Sequence, residues 1–363
     1  MPWGKRDDMV VHEVSPYNAE PSQSGLATSD ITPIDTFYSR NHGAVPDIAI
    51  EDWRLEVDGL VESPLSLTFD ELTSQFERST VVATLQCAGN RRAGFNEIRH
   101  IEGEDPWGSC ATSTAEWQGA RLADVLLAAG VRRDNGAHVA FLAPDVSELA
   151  SPPQPYGSSI PLPKALSCEV LLAWRMNGEP LPELHGGPVR VVVPGFIGAR
   201  SVKWITTITV QIAPSDNYFQ STAYRLLPAD ADPETAAPGA GLSLSSIALN
   251  SDILVPDDGA VIPAGPLTIR GYALAGDDLG VARVDVSLDD GVTWRQACLQ
   301  PQRSPWAWQL WSLGVEVPRG ELRITARAWD STGALQPESA AALWNPKGYV
   351  NNSWARVTLN VCG

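Results

Sequence analysis

The chain has 363 residues, 44% hydrophobic and 19% charged, with 26 Lys and Arg against 43 Asp and Glu and a formal net charge of −17. At this length two cores are expected rather than one. The acidic balance, with no basic run to neutralise phosphates, argues against nucleic-acid binding, and no apolar run approaches the ~20 residues of a membrane span.

Residues 1–35 are rich in Pro, Ser and Asp without periodicity and read as an extended arm. The spacing Leu55, Val57, Gly59, Leu60 predicts two strands around a glycine turn, followed by a short capped helix at 68–72. Residues 120–129, closed by Gly130, have helical spacing and a glycine stop. Strands are predicted at 138–142, 189–193 and 205–212. This mixture lacks a regular βαβ repeat, so the fold class is α+β.

The Pro, Gly, Ala and Asp residues of 228–241 read as a linker, which divides the chain into domains at 1–230 and 231–363. Beyond it every run is strand-like. Residues 281–288 alternate, turn at Asp289, Asp290 and Gly291, and return through 292–294, a hairpin whose Asp-Gly accepts the positive φ of a tight turn. Segments 321–329 and 354–361 alternate in the same way, so the second domain is predicted to be an all-β immunoglobulin-like sandwich without a disulfide between its sheets. Seven of the 13 tryptophans (Trp294, Trp306, Trp308, Trp311, Trp329, Trp344 and Trp354) fall in the last 70 residues, which suggests an aromatic-rich core or an interface there.

The five cysteines, Cys87, Cys110, Cys168, Cys298 and Cys362, contain no Cys-x-x-Cys pair. Zinc, iron–sulfur and attached-haem sites are therefore not expected. The charged start has no apolar segment after it, so no secretory leader is read and a reducing cytoplasm is the expected location. Cys87 has distinctive company. It follows the apolar run Val81, Val82, Ala83 and precedes Ala88, Gly89, Asn90, Arg91 and Arg92. Nearby cations bias a thiol toward the thiolate, the form that binds soft metals or attacks electrophiles. A small buried apolar residue is the plain alternative.

Several segments together resemble the sulfite oxidase family of molybdenum enzymes. They are residues 37–42 (Phe-Tyr-Ser-Arg-Asn-His), 85–92 (Leu-Gln-Cys-Ala-Gly-Asn-Arg-Arg), 156–162, 176–182, 185–190, 198–204 and 344–357, in the family's order. The resemblance implies a mixed α+β molybdopterin domain followed by a dimerisation sandwich. It also implies that Cys87 is the protein ligand of molybdenum, whose other sulfur ligands come from a pterin dithiolene. Its pterin contacts fall on Tyr38, Ser39, Arg40, Asn41, His42, Cys87, Asp145, His185, Arg190, Ser201, Val202 and Lys203. A pocket of Arg40, Arg92 and Arg356, with Trp107 as a wall and Tyr224 beside the reacting oxygen, would hold a small oxyanion.

The implied activity is oxidation of sulfite to sulfate by oxygen-atom transfer, in a homodimer. The animal enzymes' haem domain and its His-Pro-Gly-Gly segment are not found, so no haem is expected. A separate electron acceptor, a cytochrome or dioxygen, is expected instead. Glu116, where arginine is more usual, and Ser221 and Thr222, where animal enzymes tend to be basic, depart from the family pattern. A reductase of nitrate or a sulfoxide on the same fold is an alternative, as is a non-catalytic interaction protein. Against a charge of −17, binding a dianion calls for a local positive funnel, so KM is expected to rise with ionic strength.

Overall fold

Leu55 and Val57 are fully buried between exposed neighbours on strand Arg54–Gly59, and this alternation seats the strand in a mixed five-stranded sheet. The computed structural model describes residues 2–134 and 136–362. The sheet runs Leu65–Thr68, Arg54–Gly59, Thr207–Gln211, His138–Ser147, Gln154–Pro161, with Thr207–Gln211 parallel to Arg54–Gly59 and the other pairs antiparallel. A second sheet runs Glu179–Pro180, Leu171–Met176, Thr112–Arg121, Arg78–Gln86, and Arg190–Val192 also pairs with Leu171–Met176. The helix Phe69–Gln75 starts at a capping box, in which the Glu71 amide donates to Thr68 Oγ1 and the Thr68 amide donates to Glu71 Oε2.

The helix read at 120–129 begins later. Strand Thr112–Arg121 runs to its edge, and the helix occupies Leu122–Ala128, burying Leu122, Ala123, Val125 and Leu126. The N-terminal arm is folded rather than merely extended. Val10–Val14 and Tyr17–Glu20 form a hairpin, and Ala19 exchanges both backbone hydrogen bonds with Ser39. Its polar composition concealed this because Asn18 and Glu20 are buried but satisfied. Asn18 Oδ1 accepts from the Asn41 amide, and the Glu20 carboxylate accepts from the amides of Gly108 and Cys110.

Residues 227–241 form neither helix nor strand. After them, two sheets face each other. One runs Asn250–Val255, Gly265–Leu274, Gln309–Val317, Cys298–Leu299; the other runs Val261–Pro263, Ala355–Cys362, Gly320–Asp330, Val281–Ser287, Arg295–Gln296. The hairpin after Ser287 returns later than predicted, at Arg295–Gln296. Residues 292–294 remain in a turn, where Asp289 Oδ1 accepts from the Thr293 amide and Ser287 Oγ accepts from the Gly291 amide. Ile253, Ile269, Val286, Trp311, Ile324 and Leu359 fill the sandwich. The main core of the first half also takes in Tyr272, Trp308 and Tyr349 from the second.

Candidate active site

Strand Arg78–Gln86 delivers Cys87 to the wall of a polar-lined cavity. The Cys87 amide donates to Ala111 O at 2.8 Å, and the Gly89 amide reaches its Sγ at 3.4 Å. Burial raises the thiol's pKa, and Arg92 and Arg40 only partly oppose it. The thiolate bias expected from nearby arginines is therefore outweighed by desolvation. A metal would have to displace this proton on binding.

Around Cys87 the lining brings together Tyr38, Ser39, Arg40, Asn41, His42, Asp145, His185, Arg190, Ser201, Lys203 and Tyr224, all expected from sequence. Val202 is different: its side chain lies in the main core, and its carbonyl accepts from the Val191 amide. Arg190 donates to the carbonyls of His185 and Ser201, and burial lowers its pKa to about 10. Lys203 donates to Asn41 Oδ1 and to Leu184 O, and burial followed by Arg190 depresses its pKa strongly. Burial pushes Asp145 up to about 7, against the pull of Lys203.

The lining has open valences. Ser39 Oγ and Asp145 Oδ1 are buried without a hydrogen-bond partner, a costly state unless a bound group completes them. A Cβ on Gly198 would stand 2.8 Å from the Tyr38 hydroxyl, so that wall is held open for close approach. The unpartnered Ser39 and Asp145 atoms, with Arg40, His185 and Lys203 beside them on the lining, fit a large polar group that carries a phosphate, such as a pterin cofactor. Among the described residues no three His, Cys, Asp or Glu side chains converge on a metal cage, and this leaves Cys87 as a single soft donor.

Arg40, His42 and Tyr224 line both this cavity and a wider mouth outside it. His42 Nε2 lies 2.7 Å from the Tyr224 hydroxyl, and its ring stacks on Tyr156 at 4.7 Å. The mouth is also lined by Lys347 and Tyr349, together with Glu13, Glu102, Glu104, Asp105, Glu148 and Glu234. Arg40 lies 4.0 Å from Asp105, and Lys347 lies 3.7 Å from Glu104. The expected positive funnel is thus absent from the rim, where carboxylates outnumber cations.

Three expected pocket residues are placed otherwise. Arg92 is 2% exposed and lines neither space. Its guanidinium is committed to Glu104 at 3.2 Å and to the carbonyls of Asp105 and Lys347. Trp107 backs Cys87 within an apolar cluster, edge-on to His12, with its Nε1 unpartnered. Arg356 lines neither space: it lies on strand Ala355–Cys362, whose alternate residues Ala355, Val357, Leu359 and Val361 face the sandwich core. The alternation turns Arg356 outward, to Glu338 and Asp290. The 344–357 segment does reach the mouth, through Lys347 and Tyr349, the latter stacked on Tyr224 at 5.5 Å. Tyr156, Glu104 and Asp105 were also missed. The acidic run at 102–105 was the only sequence signal for Glu104 and Asp105, whereas Tyr156 opens the 156–162 segment.

A thiol-based cavity with an open-valence polar lining is the site of a molybdopterin oxidoreductase, and the comparisons agree. Residues 42–219 match the oxidoreductase molybdopterin binding domain, and 243–362 match the Mo-co oxidoreductase dimerisation domain. The chain is 43% identical to sulfite oxidase of Gallus gallus, over 95% of its own length and 76% of the relative's. It is 36% identical to sulfite oxidase of Arabidopsis thaliana, covering 98% and 95%. It is 38% identical to nitrate reductase [NAD(P)H] of Hordeum vulgare, covering 99% of this chain but 43% of that one. It spans about two thirds of the length of the mammalian relatives. Among solved structures, the sulfane dehydrogenase SoxCD from Paracoccus pantotrophus matches with a TM-score of 0.81 at 28% identity, over 98% of this chain and 89% of that one. The chain belongs to the sulfite oxidase family of molybdopterin enzymes and is a sulfite oxidase-like oxidoreductase.

Proposed function

We propose that the protein oxidises sulfite to sulfate. The observation that carries this reading is the shared boundary of Arg40, His42 and Tyr224 between the polar-lined cavity beside Cys87 and a wider mouth. Tyr38, Ser39, Asn41, Asp145, His185, Arg190, Ser201 and Lys203 would hold the pterin, and Cys87 would ligate molybdenum, with Val202 contributing through its backbone alone. When bound, this group supplies two-electron oxidation coupled to oxygen-atom transfer. The chain's own residues bind and orient the anion. Arg40 offers a guanidinium fork and Lys347 a second cation. The Tyr224 hydroxyl, its pKa raised by burial, keeps its proton and donates a hydrogen bond at the boundary. Arg92 and Trp107 brace the floor from behind.

In this reading the chain acts as a homodimer through residues 243–362, which match the dimerisation domain, and is divided at residue 230. Two electrons leave to a separate acceptor, a cytochrome or dioxygen, and the protein works without haem in the cytoplasm. Anaerobic addition of sulfite to molybdenum-loaded protein is expected to reduce the metal and yield one sulfate per centre. No reduction by sulfite would sink the proposal. Similarity to a nitrate reductase favours one competing reading, so the same assay on pre-reduced protein with nitrate decides between them. Cys87→Ser is expected to retain pterin but lose sulfite turnover, because a hard hydroxyl replaces a soft ligand.

A further inference from the structure

Lys5 carries an ammonium on the N-terminal arm, outside every motif read from the sequence, yet it is only 5% exposed. Its Nζ donates to Ile34 O at 2.6 Å and to Phe37 O at 2.7 Å, and it meets His185 Nε2 at 2.8 Å. Nζ thus has three polar partners. Burial lowers its pKa to about 7, with Asp35 opposing the shift from a distance. A buried ammonium without a carboxylate in contact is an expensive way to fill space. An apolar side chain would serve packing alone at lower cost.

His185 lines the cavity and is held neutral by burial and by the surrounding Lys5, Lys203 and Arg190 charges. A neutral imidazole has one acceptor nitrogen. The Lys5 amine packs against Nε2, and the ring also interacts with the Ile34 carbonyl, so the ring is gripped on this side by the N-terminal arm. Phe37 steadies the same ring edge-on, at 5.3 Å between centroids and 73° between planes. The carbonyls of Ile34 and Phe37 that Lys5 also binds lead directly into Tyr38, Ser39, Arg40, Asn41 and His42, all on the cavity lining. One cation thus touches two separate walls of the site.

We propose that Lys5 is a positioning residue for the pterin cofactor, holding the His185 ring in place and tethering the 37–42 segment beside it. The proposal rests on the cavity being the pterin site and is independent of sulfite as substrate.

The test uses full-length protein loaded with molybdenum cofactor, with Lys5→Met, Lys5→Arg, His185→Gln and the double variant Lys5→Met/His185→Gln. Pterin and molybdenum per chain are measured, along with the rate of pterin loss, followed by fluorescence of the oxidised pterin. Loss of an outer partner of a site residue typically weakens binding 10–100-fold. Lys5→Met and His185→Gln are each expected to speed pterin loss at least about tenfold, the double variant to fall short of the product of the two single effects, and Lys5→Arg to restore most retention. Thermal unfolding of the cofactor-free proteins separates this from lost stability. If Lys5→Met does not fold, Lys5→Gln, which keeps two donors for the carbonyls, takes its place in the same cycle. Unchanged pterin loss in the Lys5 variant, or effects that multiply in the double variant, would overturn the role of Lys5. Wild-type protein matured with cofactor yet holding neither pterin nor molybdenum would overturn the cavity assignment as well.

Discussion

His42 and Tyr224, 182 positions apart, share a 2.7 Å hydrogen bond at the boundary between the cavity and its mouth. Their titrations move in opposite directions. Burial, with Arg40 and Lys203, depresses the imidazole well below its usual pKa, while burial raises the phenol. Both groups therefore stay neutral, and the hydrogen bond between them aims the Tyr224 oxygen. His42→Ala is expected to lower kcat about tenfold, and Tyr224→Phe by one to two orders of magnitude. The double variant should be no slower than Tyr224→Phe, because the two act as one unit. Effects on kcat that multiply in steady-state assays would show that they act separately.

The same depressed imidazole makes a stability prediction. Folded His42 stays neutral, whereas the unfolded chain takes up a proton below about pH 6.5. Its contribution is complete above that value and is lost as pH falls below it, toward the depressed folded pKa. Relative to His42→Gln, wild-type protein should therefore lose about 1.4 kcal/mol per pH unit on acidification below pH 6.5. Paired urea titrations between pH 7.5 and 5 measure this, and a constant difference would contradict it.

Lys347 and Arg356 should separate sharply. Lys347→Met removes a cation from the mouth and is expected to raise KM for sulfite roughly tenfold, with a smaller effect on kcat. Arg356 is half exposed on the outer face of the sandwich, so Arg356→Ala should leave kcat/KM within about twofold and stability within about 0.5 kcal/mol. A large rise in KM for Arg356→Ala, with Lys347→Met silent, would reverse the assignment.

The acidic rim sets the sign of the salt effect. Six carboxylates at the mouth, against Arg40 and Lys347, repel an incoming dianion. Screening over a Debye length of about 8–10 Å weakens that repulsion. KM for sulfite is expected to fall roughly twofold between low and physiological ionic strength, opposite to what the arginine content alone suggests. A KM that rises with salt would mean that the inner cations dominate capture.

Much of the site was legible because its chemistry is carried by short contiguous runs. Residues 37–42 and Cys87 sit where strand ends and turns present successive side chains to one space. Arg356 was misplaced because residue type outweighed strand parity: the alternation of Ala355, Val357 and Leu359 already turned it outward. Arg92 was harder. Its burial depends on Glu104 and on the backbone of residue 347, contacts that no local pattern encodes. Lys5 and the N-terminal hairpin escaped for the same reason, since Glu20 and Asn18 are polar residues made buriable by distant partners. In the sandwich, the 281–294 turn was read correctly but its return strand was placed early, because side-chain hydrogen bonds from Ser287 and Asp289 extend the loop.

The contact between Ala88 and Val350, whose amide donates to the Ala88 carbonyl at 2.9 Å, joins the residue beside Cys87 to the segment that carries Lys347 and Tyr349. Those two positions are separated by 262 residues of chain. A domain emerging from the ribosome folds as soon as its own contacts are available, but here the floor of the mouth is made late in synthesis. The wall beside the thiol is therefore the last part of the site that can close, because residue 350 must be made before it can meet Ala88.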